Sequence, residues 1–293
     1  MQLVAQVALN GILLGGFYAC MALGFSIVWG VMNVVNLAYG SMVMVGAYVA
    51  WIAVLHLGLP FASSLPLAAL LPFLLGYAVQ RLLLNRLAER SVMMTLIFTF
   101  GLNMALINLN LLLFSADVRS LPDVFGRGSV AFAGFSVPIG RLTIFAIAMA
   151  MTVGLHALMT WTPVGNAIKA TSFDPDAARL SGIDVPHVYA LTFAIGGAVA
   201  GVTGALVASS YSFSPTAGDA YTTKAFVVCV LGGLGSIPGA IVGGIVLGVA
   251  ENMASLFFDS GYRDAVGFGI LILVLLVRPR GLLGKRFFAE VKA

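Results

Sequence analysis

GNAIKATSFDPDAARLSGIDVP, residues Gly165 to Pro186, is a polar island in a chain of long apolar runs, and its reading fixes how the rest is organised. Asp174 followed by Pro175 has the pattern of an N-cap and a first-turn proline. Asp176 is favourable beside the positive end of a helix, and Gly182 suits the left-handed residue that closes one. Ala177, Ala178, Arg179, Leu180 and Ser181 between them are helix-compatible, which predicts about two turns from Pro175 to Ser181. So short a helix is marginal alone in water. The flanking runs are long enough to cross a bilayer, so the island lies at a membrane surface, held by neighbouring spans or by a partner.

Hydrophobic residues make up 60% of the 293 and charged residues 9%, where soluble domains carry about 25% charged. The runs are continuous rather than alternating, which predicts an all-α integral membrane protein, a polytopic helical bundle in a single domain, and not a barrel. Cys20 and Cys229 sit inside apolar runs and read as packing residues rather than a disulfide or metal pair. The N-terminus lacks the basic start and small-residue cleavage site of a secretory signal, so the first apolar run is expected to stay as a span.

Spans are expected at about 7–29, 37–55, 61–80, 92–114, 142–162 and 187–210. Gly11 and Gly15 form a close-packing face in the first. Asn103, Asn108 and Asn110 interrupt the fourth, residues 115–140 form a long loop able to hold a hairpin, and 211–221 a polar outer connection. One span over 222–258 would strand the basic tail, 278–293, on the wrong side. A turn in GGLGSIPG, Gly232 to Gly239, splits that stretch into a short inward helix and an outward helix from about Ala240 to Phe257; a last span from about Asp264 to Val277 follows. That gives about eight to nine spans. Arg81, Arg86 and Arg90, then Lys169 and Arg179, then Arg278, Arg280, Lys285, Arg286 and Lys292 fall on the island's side, ten of fifteen Lys and Arg residues, which marks that side as cytoplasmic and puts the N-terminus outside. A broken second helix would reverse the N-terminus.

Glu251 falls inside a span, where a charge is expensive. Either it lines a path for solute, or Arg263 or Lys224 neutralises it. Asn33, Asn36, Gly40 and Ser41 form a second polar break, either path-lining or capping, with Asn36 a reasonable N-cap for the second span. His56, His156 and His187 lie on separate segments and form no metal set. Gly239, Gly243, Gly244 and Gly248 read as a packing surface, and no G-x-x-x-x-G-K-[ST] loop occurs, so the chain cannot hydrolyse ATP itself.

Nearly the whole chain resembles the LivH-type branched-chain amino acid permeases of ABC importers. The likeness runs through NGILLGGFYACMALGFSIVWGVMNVVNLAYGSMVMVGAY, the island, YALTFAIGGAVAGVTGAL and GGLGSIPGAIVGGIVLGVAEN. The resemblance implies a bacterial inner-membrane protein that passes a small solute from a periplasmic binding protein to the cytoplasm. It implies a second, similar permease subunit and two ATPase subunits that hold ATP and magnesium, with no cofactor or nucleic acid bound here. The island becomes the coupling helix, with Asp174 and Pro175 at its start, Ala177, Ala178, Leu180 and Gly182 at the ATPase contact and Asp176 and Arg179 at the rim. Similar permeases often carry a charged residue where Pro175 stands. Urea and short amides are also carried by similar permeases. The rivals are an ion-coupled secondary transporter, which predicts inverted repeats and mid-membrane titratable groups, and a passive channel.

Overall fold

The computed structural model describes residues 2–87, 92–122, 124–126, 128–132, 135–257 and 260–284, with backbone alone for Leu87, Val92, Phe132, Ser260, Arg263 and Asp264. Arg90, Asp123, Arg127, Gly134, Lys285, Arg286, Lys292 and the side chain of Arg263 therefore lie outside the described residues. The elements are α1 (Gln2–Met32), α2 (Tyr39–Leu55), α3 (Phe61–Val79) running through a π turn (Gln80–Leu84) into α4 (Asn85–Leu87), α5 (Val92–Phe114), β1 (Ser129–Phe132), β2 (Phe135–Pro138), α6 (Ile139–Trp161), α7 (Pro163–Phe173), α8 (Pro175–Leu180), α9 (Val185–Ser210), α10 (Gly218–Gly232), α11 (Ile237–Ala254) and α12 (Arg263–Val277). Among the described residues six helices are long and apolar enough to cross a membrane: α1, α3 with its π turn, α5, α6, α9 and α11. The asparagines of α5 leave it unbroken, and the loop 115–140 does contain a hairpin, β1 antiparallel to β2.

Lipid tails are as apolar as leucine, so helices in a membrane gain little from burying apolar faces and depend on close contact between small residues. Here α1 and α9 form the centre. Gly11 and Gly15 of α1 meet Gly244 and Gly248 of α11 so closely that a Cβ on Gly15 would lie 2.5 Å from the Cα of Ile245. Gly197, Gly201 and Gly204 of α9 receive the backbones of α3 and α2 in the same way, at Pro72, Ala68 and Val43.

Two ends of the bundle are defined by contacts. Gln6 Nε2 donates to the Ser136 carbonyl at 2.8 Å, tying the start of α1 to the hairpin. At the other end Asn85 Nδ2 donates to the Pro186 carbonyl at 3.0 Å and Arg81 lies 3.8 Å from Asp184, tying the end of α3 to the island. The start of α1 is thus opposite the island.

Among the described residues α2 and α10 start inside the bundle. Asn33, with φ +51°, ends α1 in a left-handed turn, and the chain then doubles back before α2 begins. Tyr39 Oη donates to the Met21 carbonyl at 2.7 Å and lies 2.8 Å from where a Cβ on Gly24 would be, so α2 starts inside the bundle, level with Gly24 of α1. That is eight residues, about 12 Å, short of the end of α1. The other is α10. After α9 the chain pairs Phe213 with Arg119 at the hairpin end, then dips inward, and α10 starts at Gly218 against Gly40, which a Cβ on Gly218 would approach to 2.8 Å. Residues 211–221 are therefore not wholly an outer connection. The expected turn in GGLGSIPG falls at residues 233–236, where Gly233 and Gly235 have φ +109° and +76°. Ser236 Oγ accepts the Gly239 N–H, so α11 starts at Ile237, three residues earlier than expected, and ends at Ala254.

Replacing Gly15 by alanine is expected to lower stability by about 2 kcal/mol, because an added methyl must separate two helix backbones. Gly154→Ala on α6, where the added Cβ meets nothing within 4 Å, is expected to stabilise by up to about 1 kcal/mol. Thermal unfolding of the detergent-solubilised protein measures both.

Candidate functional site

The island is built as two capped helices rather than one. Thr162 Oγ1 accepts the Gly165 N–H at 3.0 Å with Pro163 in the first turn, giving α7, which the island's polar composition conceals. The Thr-Pro pair is the same start signal as Asp174-Pro175 and is the feature that reveals it. Asp174 Oδ1 accepts the N–H groups of Asp176 and Ala177 at 2.9 and 3.0 Å, Gly182 adopts φ +83°, and the Ile183 N–H returns to the Ala178 carbonyl at 3.1 Å. Asp184 then caps α9 through the His187 N–H. The first N–H groups of the helix and the Ala177, Ala178 and Arg179 carbonyls are met locally, which holds its shape at the surface.

Of the expected contact residues, Ala177, Leu180 and Gly182 are exposed, whereas Ala178 is 4% exposed and faces its own chain. Asp176 and Arg179 form an exposed pair at 3.4 Å, and Pro175 is half-buried. Leu180 is 91% and Phe173 79% exposed, two large apolar groups presented at the island end.

The second set divides. Asn33 is exposed where α1 ends, while Asn36, Gly40 and Ser41 are buried. Asn36 is not the N-cap of α2, which is Ala38 with no side-chain cap; its Oδ1 accepts the Ala38 N–H at 3.1 Å and so holds the turn that doubles back. The Gly40 N–H donates to Thr222 Oγ1 at 2.8 Å. Ser41 Oγ donates to Asn103 Oδ1, and Asn103 Nδ2 donates to Asp219 Oδ1 at 2.9 Å. The starts of α2 and α10 thus meet at a polar node that includes Asn103, Asp219 and Thr222, assembled from distant parts of the chain.

Glu251 is elsewhere, on α11, and 1% exposed. Tyr18 Oη donates to its Oε2 at 2.7 Å and Lys224 Nζ of α10 to its Oε1. Lys224 is the partner found; it also lines a cleft of about 210 Å³ with Ala220, Thr223, Gly267 and Phe268. A larger cavity of about 520 Å³ lies under the hairpin, lined by Asn10, Phe125, Arg141, Tyr211 and Asn252 among others.

The helices define a multi-pass membrane protein whose polar groups meet inside the bundle and whose capped island stands at one end. A family model described as branched-chain amino acid transport system / permease component matches residues 7–275. The chain is 35% identical to the high-affinity branched-chain amino acid transport system permease protein BraD of Pseudomonas aeruginosa and 34% identical to LivH of Escherichia coli, each over 96% of this chain and 95% of the relative. It is 29% identical to LivM of Salmonella typhimurium over 91% of this chain and 67% of that one. No solved structure matches. The chain belongs to the family of branched-chain amino acid transport permease components. It is a transport component and not an enzyme, and the ABC importer reading stands over the ion-coupled transporter and the channel.

Removing one partner of a buried ion pair leaves an uncompensated charge at a cost of about 3–5 kcal/mol. Lys224→Met is expected to reach that range in denaturant or thermal unfolding, and Lys224→Met combined with Glu251→Gln to recover most of the loss.

Proposed function

We propose that this chain is one of two permease subunits of an inner-membrane importer that carries a branched-chain or related amino acid from a periplasmic binding protein to the cytoplasm. In this reading the chain makes nine passes, α2 and α10 each completing a pass with the irregular segment before it. The hairpin end is periplasmic and the island end cytoplasmic. Arg81, Arg86, Lys169, Arg179, Arg278 and Arg280 at the island end support that orientation. The loop 115–140, carrying the hairpin, is the surface offered to the binding protein. The relatives' names support the cargo.

The island is the coupling element. Two ATPase subunits hold ATP and magnesium, and α8 docks into one of them. Movement there passes to α6 and α9 through the capped turns on either side of the island, opening the path to one side at a time. The observation that carries the docking role is Leu180, a large apolar side chain 91% exposed on a helix capped at its start by Asp174. Such a residue is a natural anchor for a pocket in a partner.

Leu180→Asp is expected to leave membrane insertion unchanged and to reduce co-purification of the ATPase subunits by at least about tenfold, the effect of losing one interface anchor; undiminished co-purification counts against docking by α8. The whole reading is tested in proteoliposomes. Uptake of labelled leucine is expected only with the partner permease, both ATPase subunits, the binding protein and ATP. Uptake by this chain alone, with or without an ion gradient, would overturn it.

A further inference from the structure

Asp219 is the one candidate group of the polar node that the bundle leaves open to its surroundings. Its depth follows from its partner. Asn103, which donates to it at 2.9 Å, is eleven residues from Val92 and eleven from Phe114, about 16 Å from either end of α5. Residue 218 beside it packs on Gly40 at the mid-depth start of α2. Asp219 therefore sits near the middle of the bundle while its neighbours on α10, Gly218, Thr222, Ala225, Val228 and Cys229, are buried.

The exposed residues of α10 form one stripe, Asp219, Ala220, Thr223 and Phe226. The flanking surface is apolar, with Phe100 and Met104 exposed on α5 and Phe268 on α12. A carboxylate at this depth does not rest against hydrocarbon, so the stripe faces water or protein. Ala220 and Thr223 are small, and with Lys224 they border the cleft of about 210 Å³, which leaves room for water and a small solute beside the stripe. The carboxylate is also held in place. Ser41 donates to Asn103, which turns its amide N–H toward Asp219 Oδ1; among the described residues no cation lies within ion-pair distance of Asp219. The starts of α2 and α10, whose helix dipoles are positive at that end, flank it and make a carboxylate without a fixed cation tolerable.

We infer that Asp219 lines the solute path at its midpoint and takes the ammonium group of the passing amino acid, with Asn103 and Ser41 as positioning residues. This rests on the importer reading above. An ammonium brings three donors and a positive charge to a carboxylate that Asn103 holds through one oxygen and that stands next to Ala220 at the edge of the cleft. A single carboxylate with no closed cage releases the solute again, as a transit site must.

The test uses the complete importer in proteoliposomes. Thr223 lies one turn along the stripe, and Thr223→Cys is treated with methanethiosulfonates bearing either trimethylammonium or sulfonate, with rates referred to free cysteine and to the unmodified importer as background. The expected result is modification by both, with a preference for the cationic reagent of about tenfold that falls to parity when Asp219→Asn is added. No modification, or a preference unchanged by Asp219→Asn, overturns the inference. This arm needs no knowledge of the cargo. In the second arm Asp219→Asn, which keeps the shape and accepts the Asn103 bond, is expected to lower ATP-driven leucine uptake at least about tenfold, with Asp219→Glu retaining more; an Asp219→Asn importer as fast as wild type also overturns it. A wild-type importer that hydrolyses ATP with its binding protein yet takes up no leucine sinks the cargo assignment and the ammonium role, while the reagent preference still reads whether Asp219 faces a path.

Discussion

The structure depends on satisfying backbone groups where two helices, α2 and α10, begin inside the bundle. An N–H or C=O without a partner is costly at membrane depth, so a helix ends there only against protein or water. At the far end of α10, where the following turn meets Gly30 near the end of α1, the Leu231 and Gly232 carbonyls accept the N–H groups of Leu282 and Leu283, each at 2.9 Å, so the segment after α12 closes the turn between α10 and α11. At the start of α2 Asn36 holds the Ala38 N–H, and Thr222 takes the Gly40 N–H. Each interruption is completed by a residue far away in sequence. That ties together the first forty residues, α5, α10 and the tail.

The glycines make this possible by setting how near the helices come. Gly40 and Gly218 leave room for two helix starts to touch, and Gly11, Gly15, Gly244 and Gly248 bring α1 and α11 into backbone contact. With the scaffold fixed in this way, the polar groups inside it divide into two kinds. Glu251 and Lys224 neutralise one another between α11 and α10, and Tyr18 of α1 donates to the other oxygen of the carboxylate. Ser41 instead donates to Asn103, and Asn103 in turn donates to Asp219 at the border of the bundle. The first arrangement stabilises the fold, and the second leaves a charge available.

The island has a different logic. Its two helices are capped from within their own segment by Thr162 and Asp174, so the start of α8 does not rely on the bundle for its backbone bonds, and α8 presents Leu180 outward. A surface element with a capped start and an exposed apolar side chain is suited to carry movement between a partner and the spans that continue from it.

The local signals in the sequence were sufficient wherever one residue type has one physical use. Continuous apolar runs gave the long helices, Asp174-Pro175 and Gly182 gave α8, and GGLGSIPG gave the break between α10 and α11, since only glycine adopts φ +109° and +76° easily. The Thr162-Pro163 start of α7 was equally readable but masked by Gly165 and Asn166. Depth and pairing were not readable, because they depend on which distant backbones touch. Asp219 looks like part of an outer loop until Gly40 and Asn103 place it at mid-depth, and Asn36 looks like a helix cap until the doubled-back turn is seen. Lys224 was one of two equal partners for Glu251 until the packing of α10 on α11 set it there. Sequence by itself determined the long apolar helices, the cap of α8 and the distribution of charge along the chain; only the tertiary structure decided which polar groups are neutralised within the bundle and which one stays open, because that depends on contacts between separate segments, from 27 residues apart for Lys224 and Glu251 to 116 for Asn103 and Asp219.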